Sequence, residues 1–454
     1  MTITVNETQS LLASSCMENT IVKHIVLETA LGKGVEEYGN MGDVSMLQIA
    51  VDRLHKLFPN ACIDVLTDSA ENLARFCPTA KALDHRGRAL WFSNRVSLGR
   101  LNKRAPKWVL HRLGEARKTI RSRYPDLLST FLVKRLKGHN RPKDAEAITA
   151  FLGALDKADL VVLCGAGGFY DGCRDWSMEI LDLLEAAVQR KKRTVMLGQG
   201  FGPLSDPVVA KRAAKIFPLL DFITLRGGRG SLSLLRSLGV PESKVQTTGD
   251  EALEMAFEAR SEKPGCGLGI GFRFGASATV NDDELERMRP ILQNFARQHN
   301  VPLVPLPIAI QVYTRDDLAI KRVLMGFDDE SDGGKTLDTP LKVIKQAAQC
   351  RVVITGAYHA AVFALGQGIP VVGIAKSPYF AGKMLGLEDQ FGEGFQTILL
   401  SEQGWPERLH DSIQRLWTNA DALRTTLQAA TLRQIELTRR SYQELRDIPA
   451  SRRN

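Results

Sequence analysis

The stretch that most limits how this chain can fold is residues 351–376, RVVITGAYHAAVFALGQGIPVVGIAK. Val352, Val353 and Ile354 form a short apolar run suited to a strand covered on both faces, and Thr355-Gly356 ends it. The residues from Ala360 to Leu365 favour a helix, which Gly366 and Gly368 close before Ile369-Pro370 opens a second apolar strand. Strand, loop, helix and strand of this kind belong to an α/β protein with buried strands. His359 then falls at a helix N-terminus, where backbone N–H groups and the helix dipole favour an anion. Among eight histidines it is the only one framed in this way; the bland alternative is a histidine satisfied in the core.

The rest of the chain repeats the pattern. HIVLETAL is an apolar strand, and Gly39-Asn40-Met41-Gly42-Asp43 is a glycine-framed turn opening a helix that Asp43 can cap. ACIDVLT is the next strand, so the first unit is β-α-β with parallel strands. DLVVLC runs into Gly165-Ala166-Gly167-Gly168-Phe169-Tyr170-Asp171, where Gly167 and Gly168 let backbone N–H groups approach a ligand. A dinucleotide fingerprint is the competing reading, but the GxGxxG spacing is absent. Gln199 follows the strand at 194–197 with a donor and an acceptor suited to a sugar hydroxyl. DFITL leads into Arg226-Gly227-Gly228-Arg229, whose two arginines at a helix start form a fork for phosphate. Solvated surface arginines are the plain alternative. Gly249-Asp250-Glu251 ends this half, and the polar EARSEKPGCG is a linker. GLGIGFRF opens the second half with Arg273 near its end, and residues 402–447 read as two helices.

A chain of 454 residues suits two domains, and 44% hydrophobic with 24% charged residues allows large cores. The expected division is a flexible leader over 1–20, an N-terminal α/β domain over 21–260, a C-terminal α/β domain over 261–400 and C-terminal helices over 401–454. No apolar run approaches the length of a spanning helix, and the leader lacks the pattern of a secretory signal. Seven cysteines without a CxxC pair argue for reduced thiols and against a zinc site. The cytoplasm is the expected location, including the inner face of the membrane. Net charge is +9, but residues 85–143 hold seventeen Lys and Arg against Glu115 and Asp126 alone. A basic helical insertion at about 85–145 follows. No nucleic-acid motif accompanies it, so nucleic acid is not the expected partner; an anionic membrane surface fits the charge, with a merely solvated insertion as the alternative.

TGAYHAAVFALGQGIPVVGIAKSPYFAGKM resembles the C-terminal signature of the polysaccharide pyruvyl transferase family. The GNxGD turn, the Gly-rich loop ending in Asp171, GQGxGP, the arginine-to-serine helix start and the Gly-Asp turn at 249–250 are similar to that family as well. The resemblance runs from about residue 22 to 400. It departs at Ala357, where the family pattern places an arginine two residues before the histidine. The resemblance implies two Rossmann-like parallel-sheet domains facing a cleft, a GT-B-like layout, and transfer of pyruvate from phosphoenolpyruvate to a saccharide or its lipid-linked precursor as a ketal. His359, Asp43 and Asp171 are then the expected catalytic residues. Asn40, Gly167, Gly168, Gln199, Arg226, Arg229, Arg273, Tyr358 and Lys383 are the expected substrate contacts, with no cofactor and no metal. A nucleotide-sugar glycosyltransferase and a non-catalytic saccharide-binding protein are the alternatives.

Overall fold

The computed structural model describes residues 22–29, 38–93, 106–165, 167–273, 280–311 and 314–448. Seven strands form the first sheet: β1 (His24–Thr29), β2 (Cys62–Thr67), β3 (Lys81–Asp84), β4 (Leu160–Cys164), β5 (Arg193–Gln199), β6 (Phe222–Leu225) and β7 (Val245–Thr247). All pair in parallel in the order β3-β2-β1-β4-β5-β6-β7. Next come β8 (Gly267–Gly271), β9 (Leu303–Pro305), a two-stranded ribbon of β10 (Ile310–Gln311) and β11 (Thr314–Arg315), then β12 (Cys350–Thr355), β13 (Val371–Ala375) and β14 (Phe395–Leu399). The second sheet is parallel in the order β14-β13-β12-β8-β9. Its strands β8, β12 and β13 are apolar on both faces because helices cover both sides.

The helices of the first half are α1 (Met41–Leu57), α2 (Ala70–Phe76), α3 (His85–Phe92), α4 (Lys107–Arg123), α5 (Pro125–Gly138), α6 (Pro142–Lys157), α7 (Arg174–Gln189), α8 (Pro207–Ile216), α9 (Ser231–Ser237) and α10 (Ala252–Glu258). Those of the second are α11 (Asp282–His299), α12 (Asp316–Leu324), α13 (Pro340–Ala347), α14 (Tyr358–Gly366), α15 (Pro378–Phe391) and α16 (Trp405–Gln443).

Strand order reverses direction once in each sheet, between β1 and β4 and between β8 and β12. Crevices at such points, outside the carboxyl ends of the strands, are where open α/β sheets bind ligands. Here the two crevices meet. The chain at Gly39–Met41 pairs with the second half: Met41 N–H donates to the Ile308 carbonyl at 2.8 Å, and Ile310 N–H donates to Gly39 at 2.9 Å.

Two helices reach across the halves. α10 precedes the polar linker, yet Ala252, Leu253 and Ala256 share a core with Ala360, Phe363 and Ala364 of α14. At 39 residues, α16 extends about 58 Å at the helical rise. Leu409, Ile413 and Leu416 pack under the second sheet, while Tyr442 at its other end joins the core of the first. It is one helix where the sequence suggests two, since no glycine or proline interrupts residues 407–443.

The basic stretch is also more integral than an insertion. α6 is the crossover that delivers the chain to β4, and Ile148, Phe151 and Leu155 pack with Leu128, Leu132 and Leu136 of α5 against Val26 and Leu66. β3 escapes the sequence because KALD is a short edge strand whose first two residues are exposed.

Candidate active site

Asn40 caps α1: its Oδ1 accepts from the N–H groups of Gly42 at 3.1 Å and Asp43 at 3.4 Å. The cap is therefore Asn40 rather than Asp43, whose carboxyl is left to line the cleft. One residue earlier, Gly42 lets α14 approach. A Cβ at Gly42 would lie 2.0 Å from His359 Nδ1. His359, only 6% exposed, is thus clasped between the start of α1 and its own helix. Its Nε2 faces Met46 Sδ at 3.4 Å and Asp250 Oδ2 at 3.6 Å.

Glycine-to-alanine inside a helix ordinarily stabilises by about 1 kcal/mol. At Gly42 the clash with the imidazole reverses that sign. Gly42→Ala is expected to displace the ring and lower kcat by about 100-fold, the scale of a misplacement near 1 Å; steady-state kinetics beside a thermal melt checks it.

The strand ends bring a group of cations to the same place. Arg226, after β6, is 4% exposed, lies 4.5 Å over the Tyr358 ring and sits 3.5 Å from Asp250 Oδ2. Arg273, after β8, donates through Nε to Asp316 Oδ1 at 3.2 Å. Asp316 Oδ2 in turn accepts the N–H groups of Ile308 and Ala309 at 2.9 and 2.8 Å, which fixes the carboxylate that aims the arginine. Lys383, on the second turn of α15, lies 4.0 Å from the Tyr379 ring centre. Gly167 is where the backbone passes these groups, since a Cβ there would meet Arg226 Nη2 at 2.5 Å and Lys383 Nζ at 3.1 Å.

Together these side chains line a cavity of about 250 Å3 between the two sheets. Among the described residues its wall carries Arg226, Arg273, Lys383 and His359 against one carboxylate, Asp43. Burial raises the Asp43 carboxyl above the ordinary range, partly offset by His359, Arg226, Arg273 and Lys383. Burial, followed by repulsion from Arg226 and Arg273, holds Lys383 well below an ordinary lysine. Burial would raise Asp250 too, but the facing imidazole and Arg226 keep it low and ionised. A compact polyanion in this cavity would relieve the cation–cation repulsion.

Of the residues expected at a site, the structure brings Asn40, Asp43, Gly167, Gly168, Arg226, Arg273, Tyr358, His359 and Lys383 to this one cavity. Three lie elsewhere. Gln199 is fully buried and its Nε2 donates to the Leu163 and Leu197 carbonyls, tying β4 to β5. Arg229 turns outward to a two-pronged pair with Asp389 of α15, both bonds 2.8 Å, so the expected fork reduces to Arg226. Asp171 Oδ1 accepts the N–H groups of Ser205 and Asp206, bracing a loop rather than facing the cavity. Ala357 is buried at the N-cap of α14, and the cavity's cations come from β6, β8 and α15 instead.

Several wall residues went unassigned in the sequence. Tyr170 and Tyr379 stack across the cleft, ring centres 3.8 Å apart, and Tyr379 Oη donates to the Gly167 carbonyl. Cys173, Trp176 and Phe380 complete the wall. Asp250 was visible only as part of a Gly-Asp turn; Gly249, at φ +99°, makes the bend that turns it inward from the edge of the sheet.

Beneath Asp250, Glu251 is buried, and Tyr442 of α16 donates to its Oε1 at 2.6 Å. Burial pushes this carboxyl from 4.5 up to about 7, against the Tyr442 hydrogen bond and Arg53. A raised carboxyl favours the fold while protonated. Its contribution is complete below about pH 4.5 and is lost as pH rises through 7, about 3 kcal/mol in all. Glu251→Gln is expected to flatten the fall in stability between pH 5 and 8, read from denaturation midpoints across that range.

Among the described residues no set of three or more His, Cys, Asp or Glu side chains converges to hold a metal ion, and no helix is long and apolar enough to cross a membrane. No curated protein matches the chain in sequence. Among solved structures it is similar to a putative UDP-N-acetylglucosamine 2-epimerase from Listeria monocytogenes, with TM-score 0.52 and 12% identity over 92% of this chain and 94% of that one. It is also similar to the S. aureus MnaA–UDP complex, with TM-score 0.50 and 12% identity over 93% and 96% of the two chains. At such identity the likeness establishes the fold, the GT-B arrangement of two facing α/β domains. The sequence model of polysaccharide pyruvyl transferases matches residues 40–378, which span α1, the strand-order reversal of the second sheet and every wall residue of the cavity except Tyr379, Phe380 and Lys383. The chain belongs to the polysaccharide pyruvyl transferase family.

Proposed function

We propose that the cavity binds phosphoenolpyruvate and that the protein transfers its pyruvyl group to two hydroxyls of a saccharide, as a ketal, in polysaccharide biosynthesis. The observation that carries this reading is the convergence of Arg226, Arg273 and Lys383 on one small cavity beside an imidazole. A phosphate and a carboxylate on a three-carbon donor match three cations, to which a neutral sugar would bring no charge of its own.

The chemistry adds one proton to the donor's methylene carbon and removes one from each of two hydroxyls. Protonation turns the methylene into a methyl and leaves the neighbouring carbon electron-poor. The first hydroxyl adds there and gives up its proton. Phosphate leaves with the C–O bonding pair, the second hydroxyl adds, and its proton ends on phosphate, so the charges balance. His359, held by Asp250, is the proposed acid toward the methylene, and Asp43, its pKa raised, the base toward the hydroxyl. Arg226, Arg273 and Lys383 hold the leaving phosphate and the carboxylate. Asp250 is a positioning residue, because it acts through the imidazole.

Calorimetric titration tests the donor. Phosphoenolpyruvate is expected to bind with higher affinity than UDP-sugars and to lose about tenfold or more on Lys383→Met, the scale of one charge-assisted contact. Tighter binding of a UDP-sugar, unaffected by Lys383→Met, would favour a nucleotide-sugar enzyme. Saccharide binding without any response to either donor would favour a non-catalytic member of the family.

A further inference from the structure

The outer face of α4 and α5 combines two properties that rarely coincide on a surface in contact with water alone. Trp108, Leu113, Ile120, Tyr124, Leu127 and Phe131 are all exposed large apolar side chains, from 38% for Leu113 to 70% for Leu127, against eight such residues over all the other described positions. All but Trp108, which stands at the start of α4, follow helical spacing. Leu113 and Ile120 share a face of α4 that Tyr124 extends at its C-cap, and Leu127 and Phe131 stand four apart on α5.

The opposite face of α5 is already committed, and α4 is seated by two arginines. Leu128, Leu132 and Leu136 of α5 are buried in the core. Arg117 of α4 donates to the Trp91 carbonyl at 3.0 Å, and Arg121 lies 4.7 Å over the Phe92 ring. The exposed apolar side chains therefore stand on the outside of two helices that are seated on the first half by other contacts.

Around that row the described charge is predominantly positive. Arg112, Arg123, Lys134 and Lys137 are exposed, and among the described side chains of the two helices the one exposed acid is Asp126. We infer that this face docks the protein on an anionic lipid surface, with the Leu and Phe side chains entering the headgroup boundary, Trp108 and Tyr124 at its level, and the cations on the lipid phosphates. A second copy of the chain would bring the same positive charge against itself. Nucleic acid would neutralise the cations but leave Leu127 and Phe131 in water. No described helix can cross a membrane, so the attachment is peripheral and reversible.

Flotation of the full chain with vesicles tests the inference. On equimolar phosphatidylcholine and phosphatidylglycerol, recovery is expected to exceed that on phosphatidylcholine alone by about tenfold and to fall as salt is raised. Leu127→Glu with Phe131→Glu is expected to abolish recovery, and Arg123→Glu with Lys134→Glu to remove the preference for anionic vesicles. Neither pair should change the melting temperature, because all four side chains are exposed. Absence of wild-type recovery would overturn the inference, as would undiminished recovery of L127E/F131E. So would a solution dimer that L127E/F131E dissociates, which would give the face to self-association. Vesicle recovery requires no donor, so either result leaves the reading of the cavity untouched.

Discussion

His359→Ala is expected to lower kcat by about 100-fold or more, the range for removal of a positioned general acid or base. The expectation rests on placement. His359 is the imidazole that reaches the cavity wall, and Gly42, Met46 and Asp250 confine it from three sides. Alanine also leaves a void at a buried position, so His359→Gln belongs beside it to keep most of the volume. If the ring moves a proton, both variants lose kcat alike while KM for the donor changes little. If the ring serves only as packing, glutamine restores much of the rate. Asp250→Asn adds a separate readout. It should lower kcat while leaving KM for the donor little changed, because the ring loses the carboxylate that positions it.

The second large effect is expected at Arg226, which pairs with buried Asp250 and also faces the cavity. Arg226→Ala leaves Asp250 with less compensation for its burial, a change that typically costs about 3–5 kcal/mol. It also removes a donor contact. The double variant Arg226→Ala with Asp250→Asn separates the two consequences. Much of the stability is expected to return, since the orphaned charge is gone, whereas donor affinity stays at least about 100-fold down because the cation is still missing. Denaturant midpoints and titration with phosphoenolpyruvate read the two halves of that result. Recovery of donor affinity in the double variant would show that Arg226 acts through the fold alone.

The sequence reveals the fold well where strands are buried on both sides. Val352, Val353 and Ile354, or Leu160 to Cys164, can be read as apolar runs because each has helices above and below. It fails at β3, whose four residues lie at an edge, and in α16, whose two ends serve different cores and so blur a single amphipathic face. For the site, glycines are the most informative signal. Gly42 and Gly167 occupy points where a side chain would strike His359, Arg226 or Lys383. Spacing is less reliable for charged residues. Arg226 and Arg229 sit three apart in one loop, yet one is buried at the cavity and the other pairs with Asp389 at the surface. Contacts across the cleft, such as Tyr170 with Tyr379, join residues from different halves and leave no local pattern to read.

The central claim is that the cationic cavity between the sheets carries out pyruvyl transfer. Incubation with phosphoenolpyruvate and a panel of saccharide acceptors, followed by phosphate release and by mass spectrometry of the acceptor, tests it most directly. Phosphate and ketal are expected to appear one for one, and both to fall together in His359→Ala. Ketal formation at the wild-type rate by His359→Ala, or acceptor modification that proceeds from a UDP-sugar with no phosphoenolpyruvate present, would contradict it.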